Sequence, residues 1–128
     1  MNECADFESK IPLKRLTILA ELGNEFGFDP LGSVEIEDYF VNLLNEYDGM
    51  DSEFAAWVRP QLSCWFVCFG SLPRWIQTAN WPVVDSRPMV FVGQIDIPAA
   101  TSPFHDEASF YLFYDPPTGD TRTIIQVS

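Results

Sequence analysis

The chain is poor in the residues that most chemistry needs. It has one histidine, three cysteines and only seven lysines and arginines among 128 residues. One histidine, His105, followed by Asp106 and Glu107, cannot build a helical i, i+4 metal pair, and neighbours on a strand point to opposite faces. No metal site and no cofactor is expected. Three cysteines, an odd number without framework spacing, argue against a disulfide scaffold and for a reducing compartment. Glycine-rich phosphate cradles, dinucleotide fingerprints and the nucleophile elbow of hydrolases are all missing, so the sequence is not read as an enzyme. Apolar runs such as 64–69 and 110–114 fall far short of the ~20 residues that a membrane-spanning helix needs. The first ten residues carry three acids and no apolar h-region, which predicts no signal peptide and a cytoplasmic location.

What is abundant is negative charge. Nineteen acids set against seven bases give a net charge of -12, which excludes nucleic acid and anionic membrane as natural partners. Hydrophobic residues make up 47%, enough for one domain, 1–128, with a real core. The charge is uneven. Residues 1–59 hold thirteen acids and four bases; residues 60–128 hold six acids and three bases. Eight of the ten prolines lie from Pro60 onward. An acidic helical half followed by a proline-punctuated strand half predicts an α+β fold: a mainly antiparallel sheet from the C-terminal half, with the N-terminal helices packed on one side.

The clearest helix covers 34–47, where Ile36, Tyr39, Phe40, Leu43, Leu44 and Tyr47 form one stripe. Ser33 is its expected N-cap and Gly49 its stop. A second helix is expected over about 13–26, weakened by Gly23, and a short third from Asp51 through Trp57, broken by Pro60. Beyond it, residues 62–69, rich in Trp, Phe and Val, read as a buried strand holding Cys64 and Cys68. In 89–97, strict alternation puts Met89, Phe91, Gly93, Ile95 and Ile97 on one face, with Val90, Val92, Gln94 and Asp96 on the other. Gly93 there suggests close approach of a backbone or a Trp ring. The polar groups of Gln94 and Asp96 would need partners, with loop backbone near Gly70–Gln77 the candidate. Residues 109–114 and 121–127 flank the loop Asp115-Pro-Pro-Thr-Gly-Asp120 and read as a hairpin.

Glu35, Glu37, Asp38, Glu46, Asp48, Asp51 and Glu53 crowd the 34–54 segment. Such a face is either a solvated coat or a docking surface for a basic protein, steered by its field and anchored by aromatics such as Tyr39, Tyr47 or Trp57. Trp65, Trp75, Trp81 and Gln94 are the candidate lining of a pocket.

Residues 70–126 carry Gly70-Ser-Leu-Pro-Arg-Trp-Ile-Gln77, then Trp81-Pro82, then Arg87-Pro-Met-Val-Phe-Val-Gly-Gln-Ile-Asp96, then Ser109-Phe-Tyr-Leu-Phe-Tyr-Asp115. In this order they resemble the YwqG-like family (DUF1963). Some relatives carry Cys-x-x-Cys where this chain has Val83-Val-Asp-Ser-Arg87, so the resemblance implies no zinc here. It implies a fold and no shared enzymatic activity, and family members are sometimes found beside toxins. Size, charge and resemblance together suggest a bacterial immunity protein that neutralises a toxin by covering its basic surface. The alternative is a YwqG-like accessory domain that binds a small molecule or peptide.

Overall fold

A computed structural model describes residues 10–103 and 105–128. The chain is α+β, and its order follows from local chemistry in most places. Helix α1 spans Leu13–Phe26 and ends at Gly27, whose positive φ of 92° lets its N–H reach the Gly23 carbonyl at 2.7 Å. Gly23 lies inside α1 for a packing reason: the Phe28 carbonyl occupies the place where a Cβ would stand.

Helix α2, Val34–Leu44, starts as expected, with the Ile36 N–H donating to Ser33 Oγ at 3.2 Å. It buries Ile36, Tyr39, Phe40, Leu43 and Leu44. It stops three residues before the expected end. The N–H groups of Glu46 and Tyr47 turn back to the carbonyls of Leu43 and Leu44, so Tyr47 lies in the following turn.

Helix α3, Asp51–Trp65, corrects two expectations. It does not break at Pro60, and no buried strand covers 62–69. Phe54, Val58 and Leu62 are fully buried, and Phe66 extends the same four-residue spacing. Pro60 is exposed and withdraws only the bond to Ala56, an exposed residue whose carbonyl can turn to water. Burial of the apolar stripe outweighs that loss and the strand preference of Trp65 and Phe66. Only the tail of 62–69 is extended: Phe91 N–H donates to the Val67 carbonyl and Phe69 N–H to the Phe91 carbonyl. Cys64 is exposed on α3 and Cys68 is half-buried beyond it.

A two-residue hairpin pairs β1, Val83–Val84, with β2, Arg87–Pro88, through Asp85 and Ser86, both at positive φ. The main sheet is an antiparallel meander of β3, Val90–Ile97, β4, Ala108–Asp115, and β5, Asp120–Val127. The expected hairpin around 115–120 forms, closed by N–H groups of Thr118 and Gly119 on the Asp115 carbonyl.

The alternation expected along β3 is broken by a bulge. Phe91 lies opposite Phe113 and Gly93 opposite Leu112, which leaves Val92 as the extra residue. Gln94 and Asp96 therefore join Phe91 on the inner face, opposite Tyr111 and Ser109, while Gly93, Ile95 and Ile97 turn outward. No heavy atom comes within 4 Å of a Cβ built on Gly93, so neither a backbone nor a Trp ring approaches it.

One buried cluster joins the two compositional halves. Its aromatic spine runs from Phe28 and Phe40 through Phe66 to Trp81, then to Phe91 and Phe113 on the sheet, with ring centroids 4.4–6.4 Å apart. Trp75 and Trp81 cover the inner face, with Phe66 at the end of α3 packed behind Trp81, and the outer face stays open, with Ile95 67%, Leu112 41% and Ile125 49% exposed.

Candidate functional site

The seven acids of 34–54 do not form one patch. Glu35, Glu37 and Asp38 stand at the start of α2, and Glu46, Asp48, Asp51 and Glu53 gather at the α2–α3 turn. At ~1.5 Å rise per residue the two groups are separated by roughly 15 Å of helix. The first group meets Lys10, whose Nζ lies 3.8 Å from Asp38 and whose N–H donates to Glu37. The second is built around Arg15 of α1. The Arg15 Nε donates to Asp51 at 2.9 Å and Nη2 to the Gly49 carbonyl at 3.2 Å. Its guanidinium also lies 4.9 Å from the Tyr47 ring centre and 5.3 Å from that of Phe54. Tyr47 Oη donates to the Met50 carbonyl at 2.8 Å, and the Tyr47 ring tip fills the space a Gly49 side chain would need.

The turn is therefore held in one shape. It presents Glu46, Asp48 and Glu53 to solvent without ion-pair partners among the described residues, and between them Met50, 64% exposed. Tyr47 and Trp57 pack behind it, tilted at 35° with ring centroids 4.7 Å apart, and are half-buried. Tyr39, the other aromatic anchor expected on this surface, points into the core. It is 7% exposed, its hydroxyl has no hydrogen-bond partner among the described residues, and burial and then Glu46 raise its pKa.

The tryptophans do not line a common pocket. Trp81 is 1% exposed, and its indole N–H donates to the Met89 carbonyl at 2.8 Å. Trp75 stacks on Tyr111 and donates to the Gly27 carbonyl, so it is half-buried structure. Trp65 is exposed at the end of α3. The space that sequence reading gave to a ligand is filled by rings.

Gln94 does something else. Its side-chain amide accepts from Arg74 N–H at 2.8 Å and donates to the Arg74 carbonyl at 3.1 Å, as a neighbouring strand would. The partner is thus loop backbone within 70–77. Gln126, missed at the sequence level, accepts from the N–H groups of Ile76 and Gln77 and donates to the Thr78 carbonyl. Tyr111 Oη donates to the Arg74 carbonyl at 2.9 Å. Two glutamines and a tyrosine therefore clamp the 74–78 segment onto the inner face.

Next to this clamp is a cleft of ≈ 400 Å³ bordered by Arg74, Asp96, Glu107 and Ser109. Asp96 accepts from Ser109 Oγ at 2.6 Å, Arg74 Nη2 at 2.7 Å and Gln94 Nε2 at 2.7 Å, which hold its carboxyl below the ordinary carboxylate value. A carboxylate so engaged is an organiser, not a proton acceptor. Asp115, 1% exposed, is held low by the hydrogen bond from Arg87 at 2.8 Å and then by Thr118. Burial pushes the Cys68 thiol up, away from the thiolate that a nucleophile needs. No group of three His, Cys, Asp or Glu side chains suited to a metal comes together among the described residues. No helix among them is long and apolar enough to cross a membrane.

Because Asp96 and Asp115 have lowered folded pKa values, their stabilisation is complete above the ordinary aspartate pKa of ~3.9. It is lost as pH falls through the folded values. Urea denaturation across a pH series is expected to show stability falling below about pH 4. Asp115→Asn is expected to be less stable at neutral pH, leaving Arg87 short of its partner, and flatter at acid pH. An unchanged acid limb in Asp115→Asn would show that the buried pair does not control acid lability.

No protein family, curated protein or solved structure was found to match the chain.

Proposed function

We propose that this protein is an acidic, cytoplasmic, non-catalytic binder that docks a basic protein partner through the α2–α3 turn. The observation that carries the reading is the Arg15-held turn, with Met50 exposed among Glu46, Asp48 and Glu53. An exposed apolar centre inside an anionic rim suits a basic surface, and a turn already fixed loses little entropy on binding. The finer proposal is a bacterial immunity protein whose partner is a toxin with a basic active-site surface. The -12 charge and the YwqG-like resemblance of 70–126 support it. The other reading, a YwqG-like accessory domain for a small molecule or peptide, is supported by the cleft at Arg74 rather than by the tryptophans.

The test is co-expression with the product of the adjacent gene, followed by binding kinetics across a salt series. Association is expected to slow steeply with salt, because exposed rim charges act on the encounter rate. Glu46→Lys, Asp48→Lys and Glu53→Lys together are expected to slow association by about tenfold or more and to abolish protection of cells. The same reversal at Glu35, Glu37 and Asp38 is the comparison and is expected to do less. Salt-independent association, or normal binding by the first triple variant, would reduce the acidic turn to a solvated coat.

A further inference from the structure

The main sheet leaves the β5 edge open among the described residues. On β3 the backbone edge is bonded at Phe91 by Val67 and Phe69, and beyond it the Gln94 side chain, not its backbone, holds Arg74. On β5 the backbone direction follows from two bonds. Ser128 N–H donates to the Glu107 carbonyl beside β4, whereas the Val127 carbonyl accepts from Gln77 on the far side. Even-numbered residues of β5 therefore bond β4, and the N–H and C=O groups of Thr121, Thr123 and Ile125 point away from the sheet. None of these has a backbone partner among the described residues.

Edge strands are ordinarily blunted by proline, a bulge or inward charge. This one has no proline, and its register with β4 runs unbroken from Asp120 to Val127. The outer face beside it is apolar, with Ile95, Phe110 and Ile125 in one row and Gly93, Leu112 and Thr123 in the next. These two rows carry no charge in a chain of net charge -12.

We infer that this edge pairs with the same edge of a second copy, β5 against β5 and antiparallel, joining two three-stranded sheets into one of six. The occupant follows from charge and register. Two strongly acidic molecules repel unless they meet where neither is charged, and this is an uncharged face on the less acidic half. Outward groups must meet outward groups, which allows a two-fold axis at any residue from Thr121 to Ile125; an axis at Ile124 or Ile125 sets Val127, whose carbonyl already accepts from Gln77, against the second copy. An axis at Arg122 sets the two guanidinium groups against each other, and one at Thr121 runs at once into the Asp115–Asp120 turn. An axis at Thr123 places Thr121 opposite Ile125 of the second copy, with Thr123 opposite itself, and exchanges about six backbone hydrogen bonds. It also brings the two apolar outer faces side by side.

Sedimentation velocity on the full chain across a wide concentration series tests this. A monomer–dimer equilibrium is expected, shifted toward dimer by added salt because screening relieves repulsion outside the contact. That direction is opposite to the one expected for the basic partner, so the two readings fail separately. Thr123→Pro removes an outward N–H and no bond to β4, and is expected to weaken the dimer by at least about tenfold with unchanged circular dichroism. Thr123→Lys, which adds a charge at the axis and keeps the N–H, is the second variant should the proline disturb folding. A monomer at every concentration and salt, or open-ended assemblies, would overturn the inference. So would a dimer indifferent to both substitutions.

Discussion

Trp81→Ala is expected to destabilise the protein by about 3–5 kcal/mol, a large part of the ~5–15 kcal/mol by which a domain is ordinarily stable. Trp81 is the junction of the fold. Its ring meets Phe66 from the helical half at 5.1 Å and Phe113 from the sheet at 5.3 Å, and it is 1% exposed. Removing it opens a cavity between the two halves and leaves the Met89 carbonyl without its indole donor. Trp81→Phe is expected to cost less, since much of the ring volume stays while the hydrogen bond goes. The check is the urea midpoint, followed by near-ultraviolet circular dichroism. A midpoint close to wild type in Trp81→Ala would mean that the halves are joined elsewhere.

Gln126→Leu is expected to cost about 3 kcal/mol although it replaces a polar side chain with an apolar one of similar size. Gln126 is 5% exposed, and its amide serves three backbone groups of the 76–78 segment at 2.8–2.9 Å. Leucine fills the space and serves none of them. Each buried polar group left unpaired costs ~1–3 kcal/mol, reduced where the released segment can turn to water. The segment itself is expected to loosen, and trypsin is expected to cut after Arg74 faster in Gln126→Leu than in wild type. Resistance equal to wild type would show that Gln94 and Tyr111 hold the segment without it.

The elements that sequence reading places correctly are those whose reasons are local. Ser33 caps α2 because its hydroxyl lies three residues from the N–H it accepts, and the turn at 115–120 closes on its own proline and glycine chemistry. The α+β division was visible because proline and charge segregate along the chain. The expectation that Gln94 needs loop backbone held for a similar reason: a polar amide on a strand between apolar neighbours has to be paired.

The acidic surface was legible as composition but not as geometry. That Arg15 would fix the α2–α3 turn depends on contacts 34 and 36 residues away. That Tyr39 would face the core rather than solvent depends on Phe66, which Tyr39 meets at 5.9 Å only because α3 continues past Pro60. Two local signals conflict over that continuation: proline and aromatic residues argue against helix there, while the apolar four-residue spacing across Pro60 argues for it. The buried stripe Phe54, Val58 and Leu62 decided it.

By itself, then, the sequence determined the fold class, the capped second helix and the terminal hairpin. These rest on composition and on hydrogen bonds spanning a few residues. Tertiary structure alone decided which face each β3 residue takes, since one extra residue at Val92 inverts the alternation that follows. It alone decided that Trp75 and Trp81 are core and that Gln126 is a clamp. Burial sets those roles, and it belongs to segments tens of residues apart, brought together only when the 74–81 segment packs between the helices and the sheet.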